Sequence, residues 1–137
     1  MSKIRLRIGR DAMLRKRLLE PGEWYVFRIK KMFQETAKDK ESTNTIVDLL
    51  AVSTEDGETR DADVPVRRYF SEKAEEYMES FVTALGGTVD PDTGFEGEFD
   101  EETVQEKLVL GLVNHRDAGG GNMRNEVEDF RPMPDAA

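Results

Sequence analysis

The stretch PGEWYVFRIKKMF, residues 21–33, decides how the chain reads. Pro21-Gly22 is a turn signal, and the aromatic and β-branched run behind it has the composition of a strand. In a strand, alternation puts Tyr25, Phe27, Ile29, Lys31 and Phe33 on one face. Trp24, Val26, Arg28, Lys30 and Met32 fall on the other. The first face suits a core. The second sets an indole beside two cations, the side chains that stack a base and hold a phosphate backbone. An amphipathic strand whose polar face is merely solvated has the same pattern.

Outward from this strand, Gln34–Asn44 is polar and reads as a loop. Thr45–Ser53 is a second strand, and Glu55-Asp56-Gly57-Glu58 a hairpin turn. Asp63–Phe70, DVPVRRYF, is a third strand, with Pro65 calling for an edge or a bulge. Ser71–Leu85 is a helix whose Ala74, Tyr77, Met78, Phe81, Val82 and Leu85 form one apolar stripe, closed by Gly86-Gly87. Asp90–Glu106 is acidic, without Lys or Arg, and Phe95 and Phe99 pin it to the body. Lys107–Val113 is a fourth strand, with Gly111 a bulge or coil point. Asn114–Asn122 is a glycine-rich hairpin loop, and Met123–Phe130 a fifth strand. Upstream of the turn, Ile4, Leu6 and Ile8 alternate with Arg5 and Arg7 as a strand or arm. Asp11 is positioned to cap a short helix over Ala12–Leu19.

Three strands, a helix and two strands is the element order of an OB-fold. That fold is a five-stranded barrel that binds nucleic acid through strands 2 and 3 and loops 1–2 and 4–5. Those loops are Gln34–Asn44, with Lys38 and Lys40, and Asn114–Asn122, with Arg116. An α+β sheet under one helix has the same order. The expected architecture is mainly β: an OB-like barrel over residues 21–133 with one helix between strands 3 and 4. A basic arm or short helix (1–20) precedes it, and a frayed end (134–137) follows.

Composition agrees with a single charged domain of 137 residues, 36% of them Asp, Glu, Lys or Arg, with a net charge of −9. Residues 1–40 carry 12 Lys/Arg against 5 Asp/Glu, and residues 41–137 carry 8 against 24. Such a split suggests a polyanion-facing part beside an acidic part, or two regions that neutralise each other. The chain has no cysteine, which excludes disulfides and thiolate chemistry and fits a reducing cytoplasm. It has no apolar run near the ~20 residues of a membrane span, and its cationic start lacks a secretory apolar region.

Catalytic and metal patterns are weak. Asp90-Pro-Asp92-Thr-Gly94 begins like a calcium loop but has Phe95 where glycine is required. Gly119-Gly120-Gly121 lacks the lysine of a phosphate loop. His115 is single and reads as a surface loop residue. The expectation is a protein that is not an enzyme and uses no cofactor. For sequence-tolerant single-strand binding, Trp24, Tyr25, Phe33 and Tyr69 are the candidate stacking residues. Arg28, Lys30, Lys31, Arg67, Arg68, Arg116 and Arg124 are the candidate phosphate contacts. The basic run Arg5, Arg7, Arg10, Arg15, Lys16 and Arg17 could add to them.

Three features carry a family resemblance: PGEWYVFRI (21–29), the strand Val64-x-Val66-x-x-Tyr69-Phe70 that leads into the helix, and LVLGLVNHRDAGGGNMRNEVEDFRPM (108–133) with its Asn125-x-Val127-x-x-Phe130-x-Pro132 ending. Over residues 20–133 the chain resembles small phage-encoded proteins found among replication and recombination genes and described as single-stranded-DNA-binding. The resemblance implies an OB-like barrel that coats single strands in the host cytoplasm. Many such proteins recruit partners through an acidic, aromatic tail. This chain ends PMPDAA instead, so the acidic segment 90–106 takes the place of a contact for replication or recombination proteins. A homo-oligomer fits the same picture. The alternatives are an interaction or virion-assembly scaffold without DNA binding, and an acidic mimic of DNA.

Overall fold

A computed structural model describes residues 2–36, 38 and 40–134. It is mainly β. Five strands form one antiparallel sheet: β1 (Trp24–Thr36), β2 (Thr43–Thr54), β3 (Pro65–Ser71), β4 (Leu108–Asp117) and β5 (Met123–Pro132), in the order β3-β2-β1-β4-β5. The helices are short: α1 (Arg10–Lys16), a 3₁₀ helix (Glu72–Met78), α2 (Glu79–Ala84) and α3 (Glu101–Val104). None among the described residues is long and apolar enough to cross a membrane.

The sheet is open, because no ladder joins β3 to β5. The two edge strands still approach within 8 Å, Cα to Cα. Phe81 of α2 fills the seam. Its ring stacks on Phe70 of β3 at 5.4 Å and meets Phe130 of β5 edge-on at 4.9 Å. The core lies on the inner face, where Tyr25, Phe27, Ile29, Val47, Leu49, Val109, Val113 and Val127 are all but fully buried.

Simple alternation fails along β1. The register with β2 slips between Ile29 and Lys31. One extra residue in a strand reverses which face the following side chains take. Met32 therefore packs against the core, while Lys31 pairs in register with outward Asp48, and Phe33 with Ile46. Lys31 and Phe33 thus leave the face of Tyr25, against the expectation. Gly111 is not a bulge, since the register with β5 shifts between Leu112 and Val113, where β5 carries the extra residue Glu128. It is a close approach: a Cβ there would sit 2.8 Å from Val127 and 2.9 Å from the Phe27 ring.

Other boundaries move. β1 extends to Thr36 and β2 begins at Thr43, so much of the expected Gln34–Asn44 loop is paired strand, and Ala37 and Asp39 lie outside the described residues. The expected frayed end lies outside them too, apart from Pro134. The Ser71–Leu85 helix is broken. Ser71 caps it by accepting from the Lys73 N–H, but Ala74 leaves helical geometry. The stripe then loses its phase. Phe81, Ala84 and Leu85 are buried, whereas Tyr77 is 65% exposed. At the front, Gly9 precedes α1 without a side-chain cap, and Asp11 lies inside its first turn. Leu14 and Leu19 join the core, so the packed body begins near residue 10 rather than 21. In the acidic segment Phe99 packs on the core, Phe95 stacks on Phe99, and α3 buries Val104.

Candidate nucleic-acid interface

α1 is held beside the sheet by the turn that follows it. The Asn125 side chain on β5 accepts from the Leu19 N–H at 2.8 Å and donates to the Arg17 carbonyl at 2.8 Å. His115 Nε2 donates to the Leu19 carbonyl at 2.7 Å. This half-buried histidine on β4 is a clamp rather than the loop residue expected. Next to it, the Tyr25 hydroxyl accepts from the Glu20 N–H at 3.0 Å and donates to Asp61 Oδ2 at 2.9 Å. The other Asp61 oxygen takes Arg17 at 2.9 Å.

Burial pushes the Tyr25 phenol up to about 12, against ~10 in an unfolded chain. A raised phenol favours the protonated fold. Its contribution is complete below pH ~10 and is lost as pH rises through 12. Tyr25→Phe is therefore expected to cost ~1–3 kcal/mol near neutrality, because buried Asp61 and the Glu20 N–H both lose their bond to the hydroxyl. It is also expected to flatten the loss of stability between pH 10 and 12 in urea titrations.

Between α1, the outer face of β1–β3 and the start of β5 lies a groove of about 840 Å³. Its cationic lining is Arg15, Lys16 and Arg17 from α1 and its end, Lys30 from the β1 slip, Arg67 from β3 and Arg124 from β5. Among the described residues Asp48 is its one carboxylate, and Tyr69 its aromatic ring, 51% exposed. Arg67 is fixed there. Its Nε and Nη2 donate to the two Asp48 oxygens at 2.6 and 3.0 Å, and this pairing raises its pKa further. Its guanidinium lies 5.5 Å from the Phe33 ring centre and 6.0 Å from that of Tyr69. Phe33 and Tyr69 flank buried Ile46 in register, so one row of the sheet offers two rings around a rigid cation.

Of the residues expected to bind nucleic acid, Lys30, Arg67, Tyr69 and Arg124 line this groove, and Phe33 borders it through Arg67. The others are placed elsewhere. Tyr25 is fully buried and cannot stack a base. Arg68 points to the inner side, its guanidinium 4.5 Å over the Phe70 ring, and desolvation lowers its pKa. Trp24 is half-buried on the outer face beneath Arg131, 4.1 Å from its ring. Arg116 pairs with Glu126 at 3.9 Å. Lys31 lies over Phe33 at 4.8 Å. Arg28 and Lys30 both meet Glu106, at 3.3 and 2.5 Å, so the acidic half neutralises part of the basic one. Arg15, Lys16 and Arg124 make no ion pair among the described residues.

The role of α1 was visible only as a basic run. Its placement depends on Asn125 and His115, neither of which has a local signature. Asp90, the head of the calcium-like stretch, is engaged by its own turn: it accepts from the Asp92 and Thr93 N–H groups, which lowers its pKa. No protein-family model matches this chain, and neither does any curated protein.

Proposed function

We propose that this is a non-catalytic single-stranded-DNA-binding protein that holds the strand in the groove between α1, β1–β3 and the start of β5. The observation that carries the reading is the convergence, among the described residues, of six cations from four separate elements on one exposed tyrosine, with a single carboxylate among them. Backbone charge draws the strand in regardless of sequence, and rings beside it stack whichever base arrives. Among the described residues Arg15, Lys16 and Arg124 make no ion pair that a phosphate would have to displace. Lys30 is held by Glu106 through an ion pair more than 40% exposed on both sides; such pairs contribute little, so a phosphate displaces the carboxylate at small cost.

The curled sheet, with its seam between β3 and β5 filled by Phe81, supports an OB-like architecture, which is itself a partly open barrel. In that reading the outer face of β2 and β3 is the usual binding side. A place in phage replication or recombination rests on the resemblance of residues 20–133. The test is the triple substitution Arg15→Ala, Lys16→Ala and Arg124→Ala. It is expected to weaken binding to labelled oligo-dT at least tenfold while leaving the circular dichroism spectrum unchanged. Unaltered affinity would overturn the proposal.

A further inference from the structure

Residues 2–9 form an exposed arm in which Ile4, Leu6 and Ile8, exposed by 88, 87 and 75%, alternate with Lys3, Arg5 and Arg7. That is the period of a strand with one apolar and one cationic side. The body offers a matching edge. β4 accompanies β1 only from Trp24 to Arg28, and the backbone of Ile29 bonds Glu106 and Lys107. From Lys30 to Thr36, β1 has a partner only on its β2 side among the described residues. Beside this free edge lies a second groove, of about 470 Å³. Met32, Phe33, Phe99 and Val104 supply its apolar lining, and Glu98 and Glu101 its acids.

We propose that the arm of one copy adds as a strand to the free edge of β1 in a second copy of this chain. Its apolar side enters the groove and its Arg5 and Arg7 meet Glu98 and Glu101. An unpaired edge is a template for such an addition: main-chain bonds supply affinity, and alternate side chains supply choice of partner. The arm's pattern matches both features of the groove, apolar and acidic.

Its own groove is out of comfortable reach. The arm leaves α1 where Arg10 meets Asp63, at the end of the sheet marked by Ala51. The free edge begins opposite Asp48 and ends opposite Thr43. Its near end is ~10 Å from Ala51 along β2, and the position beside it lies three strands across from β3, ~14 Å, so that the path to it is ~17 Å. Eight extended residues reach at most ~29 Å, which leaves too little chain to lie along the edge. Reciprocal exchange between two copies closes a symmetric dimer.

The experiment uses the full chain in sedimentation velocity, without DNA. The expected mass is about twice 15.6 kDa at high concentration, falling to the monomer in the double variant Ile4→Asp, Leu6→Asp. Because the chain has no cysteine, single replacements report the contact cleanly. A mixture of Leu6→Cys and Gln34→Cys proteins is expected to form a mixed disulfide under mild oxidation, and Glu98→Lys with Glu101→Lys to suppress it. A wild-type monomer at every concentration, a dimer that survives the arm variants, or no mixed disulfide would each overturn the proposal. None of these substitutions lies in the cationic groove, so oligo-dT binding reports on that groove separately.

Discussion

Phe81→Ala is expected to lower the free energy of unfolding by ~3–5 kcal/mol, a large part of the ~5–15 kcal/mol that holds a domain folded. The ring is all but fully buried and is the piece that spans the open seam. It touches Phe70 on one edge strand and Phe130 on the other, and those two rings sit 6.2 Å apart. Without a backbone ladder between β3 and β5, these contacts and the pairing of Phe130 N–H with Ser80 Oγ tie the sheet's ends together through α2. Truncation leaves a cavity where no hydrogen bonds remain to draw the edges closed. Urea denaturation is the measurement: the midpoint falls sharply, while Tyr77→Ala, 65% exposed one turn earlier, stays within ~0.5 kcal/mol of the parent.

Tyr69→Ala is expected to weaken oligo-dT binding by ~1–3 kcal/mol, the value of one base stacked on a ring. In affinity that is about fivefold to more than a hundredfold. Half of the side chain faces solvent, so stability changes little and the loss belongs to the groove. Arg67 stays in place through its paired bonds to Asp48, which separates the ring's part from the cation's. Tyr69→Phe keeps the ring and gives up only a long contact of 3.5 Å to Arg67; it is expected to bind like the parent. Equal losses in both variants would place the hydroxyl, not the ring, at the contact.

The strands were legible where local composition and burial agreed. β1 and β2 are dense in apolar and β-branched residues, the Asp56-Gly57 turn opens the connection from β2 to β3, and the triple glycine lies in the β4–β5 hairpin. What was not legible came from register and long-range bonds. The slip at Lys30 has no sequence mark, yet it moves Phe33 and Lys31 to the outer face and creates the aromatic row with Tyr69. Tyr25 is a stacking candidate in the sequence although alternation puts it on the face that suits a core, and that face is where it lies. Its hydroxyl finds its buried partner in Asp61, 36 residues away. Arg67 and Arg68 are adjacent cations, and the pleat sends one to each side of the sheet, as alternation requires. The approach of α1 to β5 is set by Asn125, 106 residues from the Leu19 N–H it accepts, a distance at which pattern reading has no purchase.

The central claim is that the groove is an electrostatic track for a single strand. The most direct test is fluorescence anisotropy of labelled oligo-dT, and of a duplex of equal length, across a salt series. Each phosphate neutralised on a single strand adds ~0.7 to the slope of log affinity against log salt. Engagement of Arg15, Lys16 and Arg124 alone predicts a slope steeper than about −2 on oligo-dT, with weaker binding to the duplex. Affinity that does not respond to salt, or no binding at low ionic strength, would contradict it.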